Sequence, residues 1–326
     1  MKKKVILFIV ILTMLFDGIT INASDIISGG ISELSLAAER YYNTKIAYSD
    51  MIISLTRDNM YEVYYYHANG KNLAASLYLT EWGTWNLGEW KITANGQTKP
   101  IIGGGTDWEY VFRVINPVSY NLEFTGGNHG SEKLNSISMF DSVTGEVFEL
   151  GVGESKYVNR LVIVENTSIL LANLDYLPYA NVERTYTFVG NRINLDCKIE
   201  FVRDVKMALS YSAMASVDKD FGRYCMFDDG TYVSTSGKGT SSNHYLGHRD
   251  SMTATLTGDD VTASLTVGIY NKKDMTDNFS NMDKTFIWDM SPEFNKVYFS
   301  RGNLTELETI TTGTVWDFGS YWKINL

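Results

Sequence analysis

Histidine, proline and cysteine are scarce in this chain of 326 residues, and each scarcity excludes something. Two cysteines, Cys197 and Cys225, allow one disulfide at most, so a bridge would support the fold without defining it. Four prolines leave turns to Gly, Asn and Asp, as in strand-rich proteins. No Lys/Arg stripe occurs and the formal net charge is −10, which repels phosphate backbones and makes nucleic acid a poor partner. The Gly-x-Ser-x-Gly elbow, the Walker loop, His-Glu-x-x-His and the dinucleotide fingerprint are all missing. No Gly/Ser or Pro-rich linker, fixed-period repeat or long helical pattern appears.

What is present begins with Lys2, Lys3 and Lys4, followed by Val5 to Phe16, apolar except for Thr13, and closed by Asp17. Ile21 and Ala23 are placed for cleavage before Ser24. This is the pattern of a secretory signal over residues 1–23, and the apolar stretch is shorter than the roughly 20 residues of a membrane span. The expectation is a secreted, extracellular protein with no membrane span after cleavage. Residues 24–326 are expected to form one body.

Hydrophobic residues make up 44% of the chain and Phe, Trp and Tyr 13%, enough for a large core with aromatic cross-strand pairing. Ile31 to Tyr42 reads as one short helix. From there strand signals dominate: Met60–His67, Leu73–Thr80, Glu89–Thr93, Asp107–Ile115, Val118–Phe124, and a hairpin over Met139–Leu150 about Thr144-Gly145. Tyr157–Leu174 is the longest apolar run and is expected at a sheet centre. Glu183–Val202 reads as a hairpin about Gly190-Asn191. The fold class is therefore all-β, an antiparallel β-sandwich (a two-sheet supersandwich or a jelly roll) with a short N-terminal helix.

Two stretches carry candidate chemistry. Phe124-Thr-Gly-Gly-Asn-His-Gly-Ser-Glu132 offers His129 on a tight glycine turn, with Asn128 beside it and Glu132 placed to orient the ring. Ser241 to Asp250 gathers His244, Tyr245, His248 and Arg249 in one loop-like segment. If the two converge, His129 abstracts a proton, Tyr245 or His248 acts as the acid, and Arg249 or Asn128 stabilises the developing oxyanion. That set suits β-elimination from a uronic-acid polysaccharide. Asn128, Glu132, His244, Trp82 and Trp85 are then the expected substrate-binding residues. A divalent metal at His129, His244 and His248 is a further option, and no cofactor is required. The bland alternative is that both stretches are turns whose His and Asn hold backbone groups.

The stretch from Glu183-Arg-Thr-Tyr-Thr-Phe-Val-Gly-Asn-Arg-Ile-Asn-Leu to Val217 resembles the long antiparallel strands of galactose-mutarotase-like and polysaccharide-lyase β-sandwich proteins. The resemblance implies a carbohydrate-handling sandwich whose histidines meet sugar rings, with a glycan as partner. Two functions stay open: a lyase acting on an extracellular polysaccharide, and a non-catalytic carbohydrate-binding or adhesion module.

Overall fold

A computed structural model of the chain describes residues 51–67, 69–208, 210–271, 284–301 and 307–326. All fall within one compact unit, Ala47–Leu326. The expected leader over 1–23, the helix over Ile31–Tyr42 and the start of the body at residue 24 lie outside the described residues.

Alternation along each strand decides which side chains enter the core. In Met51–Arg57, Met51, Ile53 and Leu55 are buried while Ile52, Ser54 and Thr56 turn away. The same period recurs in Asn72–Leu79 and Leu161–Leu171. Two antiparallel sheets result, of fourteen and ten strands among the described residues. From edge to edge, the larger runs Ser155–Val158, Met51–Arg57, Met60–Tyr66, Asn72–Leu79, Trp85–Ala94, Gln97–Ile102, Ser210–Asp218, Phe294–Arg301, Lys284–Trp288 and Tyr245–Arg249. Tyr110–Ile115 joins it at Ser210–Asp218 and carries Leu122–Thr125 on its other side. The smaller sheet runs Tyr232–Ser234, Tyr224–Phe227, Thr253–Thr257, Ser264–Asn271, Val315–Asn325, Arg192–Phe201, Leu174–Val189, Leu161–Leu171, Glu132–Asp141 and Glu146–Val147. A single apolar cluster joins side chains of both sheets, including Leu77, Trp90 and Val297 from one and Tyr186, Leu195 and Trp322 from the other. This is the all-β sandwich expected from the sequence.

The hairpin about Gly190-Asn191 pairs Val189 with Arg192, and Thr144-Gly145 turns Asp141 back to Glu146. Two strand expectations need correcting. Val118–Phe124 does not run as one strand, because the Asn116 side chain accepts from the Val118 and Ser119 amides at 2.8 and 3.2 Å and winds residues 116–120 into a turn. Only Leu122–Thr125 is extended. The apolar run Tyr157–Leu174 is cut at Asn159-Arg160, where the Asp141 carboxylate accepts both amides. Its first part becomes an edge strand of the larger sheet, and Leu161–Leu171 enters the interior of the smaller one.

Cys197 and Cys225 are unbridged and buried. Their strands are four places apart in the smaller sheet, which at ~4.8 Å per strand separates them by about 19 Å. A disulfide needs Cα atoms within about 7 Å.

Candidate functional site

Between the sheets sits a fully buried polar network. The Arg184 guanidinium donates to Glu165 at 2.6 Å, to the Trp85 carbonyl at 3.0 Å and to Asn86 Oδ1 at 3.1 Å. Glu132 accepts from Tyr110 and Thr167 at 2.7 and 2.6 Å, and Glu109 accepts from the Leu87 amide and Tyr186. Burial raises the Glu109 and Glu165 carboxyls despite the opposing charge of Arg184. The network has an outlet, because Asn86 Nδ2 donates to Asn128 Oδ1 at 3.0 Å and Tyr78 donates to the same oxygen at 2.7 Å.

Asn128 belongs to the turn Gly126–Gly130. Gly126 and Gly127 take φ of 80° and 54°, a left-handed region that glycine enters at little cost. The turn wraps the Asp107 carboxylate: the Asn128 amide donates to Asp107 Oδ1, and His129 Nε2 lies 3.4 Å from Oδ2. Lys296 Nζ approaches the same Oδ2 at 3.8 Å. Burial works against the Asp107 charge, yet His129, Lys296 and the Asn128 amide outweigh it and hold the carboxyl below its ordinary value. Burial pulls the Lys296 ammonium down, with Asp107 and Glu109 opposing it. Asp107 and Lys296 are almost wholly enclosed, whereas the His129 side chain is 42% exposed.

The His129 ring packs on Phe124 at 4.9 Å between centroids. From there rings continue across the outward face of the larger sheet. Phe124 meets Tyr211 at 6.4 Å, Tyr211 meets Tyr298 at 4.8 Å, and Tyr298 stacks on Phe286 at 5.0 Å. Phe286 in turn contacts His248 and Tyr245 at 5.2 and 5.5 Å, and Tyr245 stacks on Trp288 at 5.5 Å. Strand alternation makes this wall: Lys296 and Tyr298 face outward while Val297 and Phe299 enter the core, and Phe286 and Trp288 flank the core residue Ile287. The wall forms a second apolar cluster, separate from the core between the sheets. The opposite outer surface differs. On the smaller sheet, Asn166 bonds Ser136, Asn135 bonds Ser168, and Asn325 bonds Ser264 and Thr266, a polar ladder suited to water.

The sequence candidates are spread along this wall. His129 and Asn128 stand at one end. Tyr245 and His248 stand at the other, where both contact Phe286, itself 6.4 Å from the Tyr211 ring that meets Phe124. His248 takes a positive φ of 55° at a bulge beside Gly247, which turns its ring onto Phe286. The backbone of Arg249 pairs with Thr285. His244 is exposed, and its carbonyl accepts from the Asp289 amide at 2.9 Å. Among the described residues no group of three His, Cys, Asp or Glu is placed to hold a metal, so His129, His244 and His248 do not form the set considered above. Glu132 points between the sheets, because Gly130 and Ser131, both at positive φ, swing the chain into an inward strand start. Asp107 holds the His129 ring instead. Trp82 lies over Gly130, where an added Cβ would stand 3.4 Å from its ring, and so borders the turn. Trp85 is a core residue packed on Tyr61 at 4.6 Å, with no face open to a ligand.

Asp107, Lys296, Tyr211, Tyr298, Phe286 and Trp288 did not emerge from the sequence. The available signal was the outward lysine and aromatics in Phe294–Arg301 and Lys284–Trp288, strands whose inward positions are already apolar.

No family model and no curated protein matches the chain. Solved structures do resemble it in outline. Slr1438 from Synechocystis sp. PCC 6803 aligns with a TM-score of 0.45 and 12% identity over 84% of this chain and 98% of its own. YeaD from Salmonella typhimurium, provisionally named a mutarotase, aligns at 0.43 and 9% over 82% and 91%. The galactosidase domain of the alpha-galactosidase-sucrose kinase AgaSK aligns at 0.47 and 8% over 84% of this chain but 41% of its own. At such identities no residue role passes from them to this chain.

Proposed function

We propose that this protein binds a glycan along the aromatic face of the larger sheet. The observation that carries the reading is the ring wall from His129 to Trp288, lying on the outward face of one sheet while the other sheet's outward face is polar. An aromatic ring offers a negative face to the weakly positive C–H bonds of a sugar ring, and polar groups at the margin take the hydroxyls. Here His129 and the Tyr211 and Tyr245 phenols supply those groups, and the span of the wall suits an extended oligosaccharide better than one ring. The basic and apolar start, Lys2 to Ala23, supports action outside the cytoplasm after leader removal.

A second reading, cleavage by β-elimination, has one observation in its favour: the half-exposed His129 ring, held by the buried Asp107, is arranged as a general base would be. Tyr211, one ring away from His129 across Phe124, is the acid this reading assigns in place of Tyr245 or His248.

The test is calorimetric titration with a panel of neutral and acidic oligosaccharides, on wild type and on Tyr211→Ala and Trp288→Ala. Binding that weakens in both variants supports the reading. A panel in which nothing binds, or binding indifferent to both rings, defeats it. Absorbance of an unsaturated product, present in wild type and lost in His129→Ala, would favour the lyase over simple binding.

A further inference from the structure

The wall contains a cation that no described residue neutralises. Arg113 is the cross-strand partner of Phe124, and its guanidinium carbon stands 5.5 Å from the Phe124 ring centroid. That ring is the one on which His129 packs and beside which Tyr211 lies. Among the described residues Arg113 has no carboxylate partner and no side-chain hydrogen bond, and its Nε is buried and unsatisfied. Arg184, Arg223 and Arg301 each meet a carboxylate, whereas Arg160, away from this wall, shares with Arg113 a buried Nε without an acceptor. Asp107, a buried carboxylate at this end of the face, is already occupied by His129, Lys296 and the Asn128 amide. Arg113 is thus a cation without an acid among the described residues, in a protein whose formal net charge is −10.

A buried guanidinium N–H left without an acceptor is costly, and a surface patch of sign opposite to the whole molecule concentrates counter-charge. We propose that the Arg113–His129 end of the wall is an anion subsite, and that the glycan it takes carries an oxyanion: a uronic-acid carboxylate or a sulfate ester. The planar guanidinium meets either group through paired N–H bonds, and the ring of Phe124 keeps its plane in place. Neighbouring sugar rings then lie along Tyr211, Tyr245 and Trp288, the rings of the wall that reach the surface. This inference rests on the glycan-binding reading and adds the ligand's charge and the residue that reads it.

The experiment compares three probes of equal length, a uronate oligosaccharide, a sulfated neutral oligosaccharide and the unsubstituted neutral one, on wild type, Arg113→Gln and Arg113→Lys, with thermal melts confirming that each variant is folded. Wild type is expected to bind one or both acidic probes on the order of 10- to 100-fold more tightly than the neutral probe, as charge-assisted bonds allow. Arg113→Gln should erase that preference and Arg113→Lys keep part of it. Added salt should weaken acidic binding in wild type while leaving the neutral probe unmoved. The uronate and sulfate arms tell which oxyanion is read. Neutral binding as tight as acidic, or an acidic preference intact in Arg113→Gln, overturns the anion subsite while the glycan face stands. Failure of every probe, or binding that ignores Tyr211→Ala, removes both.

Discussion

The turn around Asp107 offers the sharpest test of how the site is built. An Ala at position 127 would place its Cβ 2.6 Å from the Tyr110 carbonyl and 2.7 Å from Asp107 Oδ1, at a φ of +54°. The Tyr110 carbonyl belongs to a strand and has little room to move, so the turn itself must shift away from it and from the Asp107 carboxylate. Gly145 provides the control, since its φ is +75° and an added Cβ meets nothing within 4 Å. Gly145→Ala should cost only the left-handed backbone strain, roughly 1–2 kcal/mol. Gly127→Ala pays that strain and also displaces Asp107 from the Asn128 amide and from His129. With hydrogen bonds to charged groups worth about 1.5–3 kcal/mol, the total should reach roughly 3–5 kcal/mol. Denaturant unfolding of both variants measures the difference, and hydrogen exchange at the Asn128 amide, protected by Asp107 in wild type, should quicken in Gly127→Ala alone. Should the two alanines cost the same to within about 0.5 kcal/mol, the claim that the turn is moulded on Asp107 is refuted.

Three further outcomes are expected. Glu109, raised by burial, takes up a proton on folding, so its contribution is present below the unfolded value of about 4.3 and declines as pH rises through the folded value; in Glu109→Gln the loss of stability with rising pH should be shallower, and an unchanged slope in pH-dependent melts would contradict that. Asp289 accepts from the buried Lys219 at 2.6 Å and from the Ser236 and Ser242 amides at 3.0 Å, so Asp289→Asn should cost about 3–5 kcal/mol and expose residues 236–244 to proteolysis; a variant as protease-resistant as wild type would count against it. Burial raises the Cys225 thiol to about 12 and Cys197 is equally enclosed, so a thiol reagent should modify neither in the native protein and both on unfolding without reductant; failure to label after unfolding would reveal a disulfide.

How far the residues themselves announce this arrangement depends on the distance over which each feature is decided. Alternation and glycine turns are local, and the sandwich with its hairpins at Gly190-Asn191 and Thr144-Gly145 is legible from them. The tight turn at Gly126-Gly127 is local too, which is why His129 and Asn128 stand out. Asp107 is not legible, because an acid just before a strand looks like many others until the turn, some twenty residues on, closes over it. Glu132 misleads for the same reason: three positions from His129 it looks like a partner, but a two-residue change of direction sends it into the interior, where Tyr110 and Thr167 claim it. The aromatic wall raises a harder question, since an apolar strand buried on both faces shows no alternation to say which side meets its own core. Phe286, Trp288 and Tyr298 sit opposite Ile287, Val297 and Phe299, and sequence pattern treats the two sets alike. What distinguishes them is the company of charge: Lys296 beside Tyr298, Asp107 behind His129, and Arg113 on Phe124 without an acid. None of these charges is visible as a group in the sequence, because Asp107, Arg113, Phe124, His129 and Lys296 come from separate strands and turns and meet only when the sheet forms.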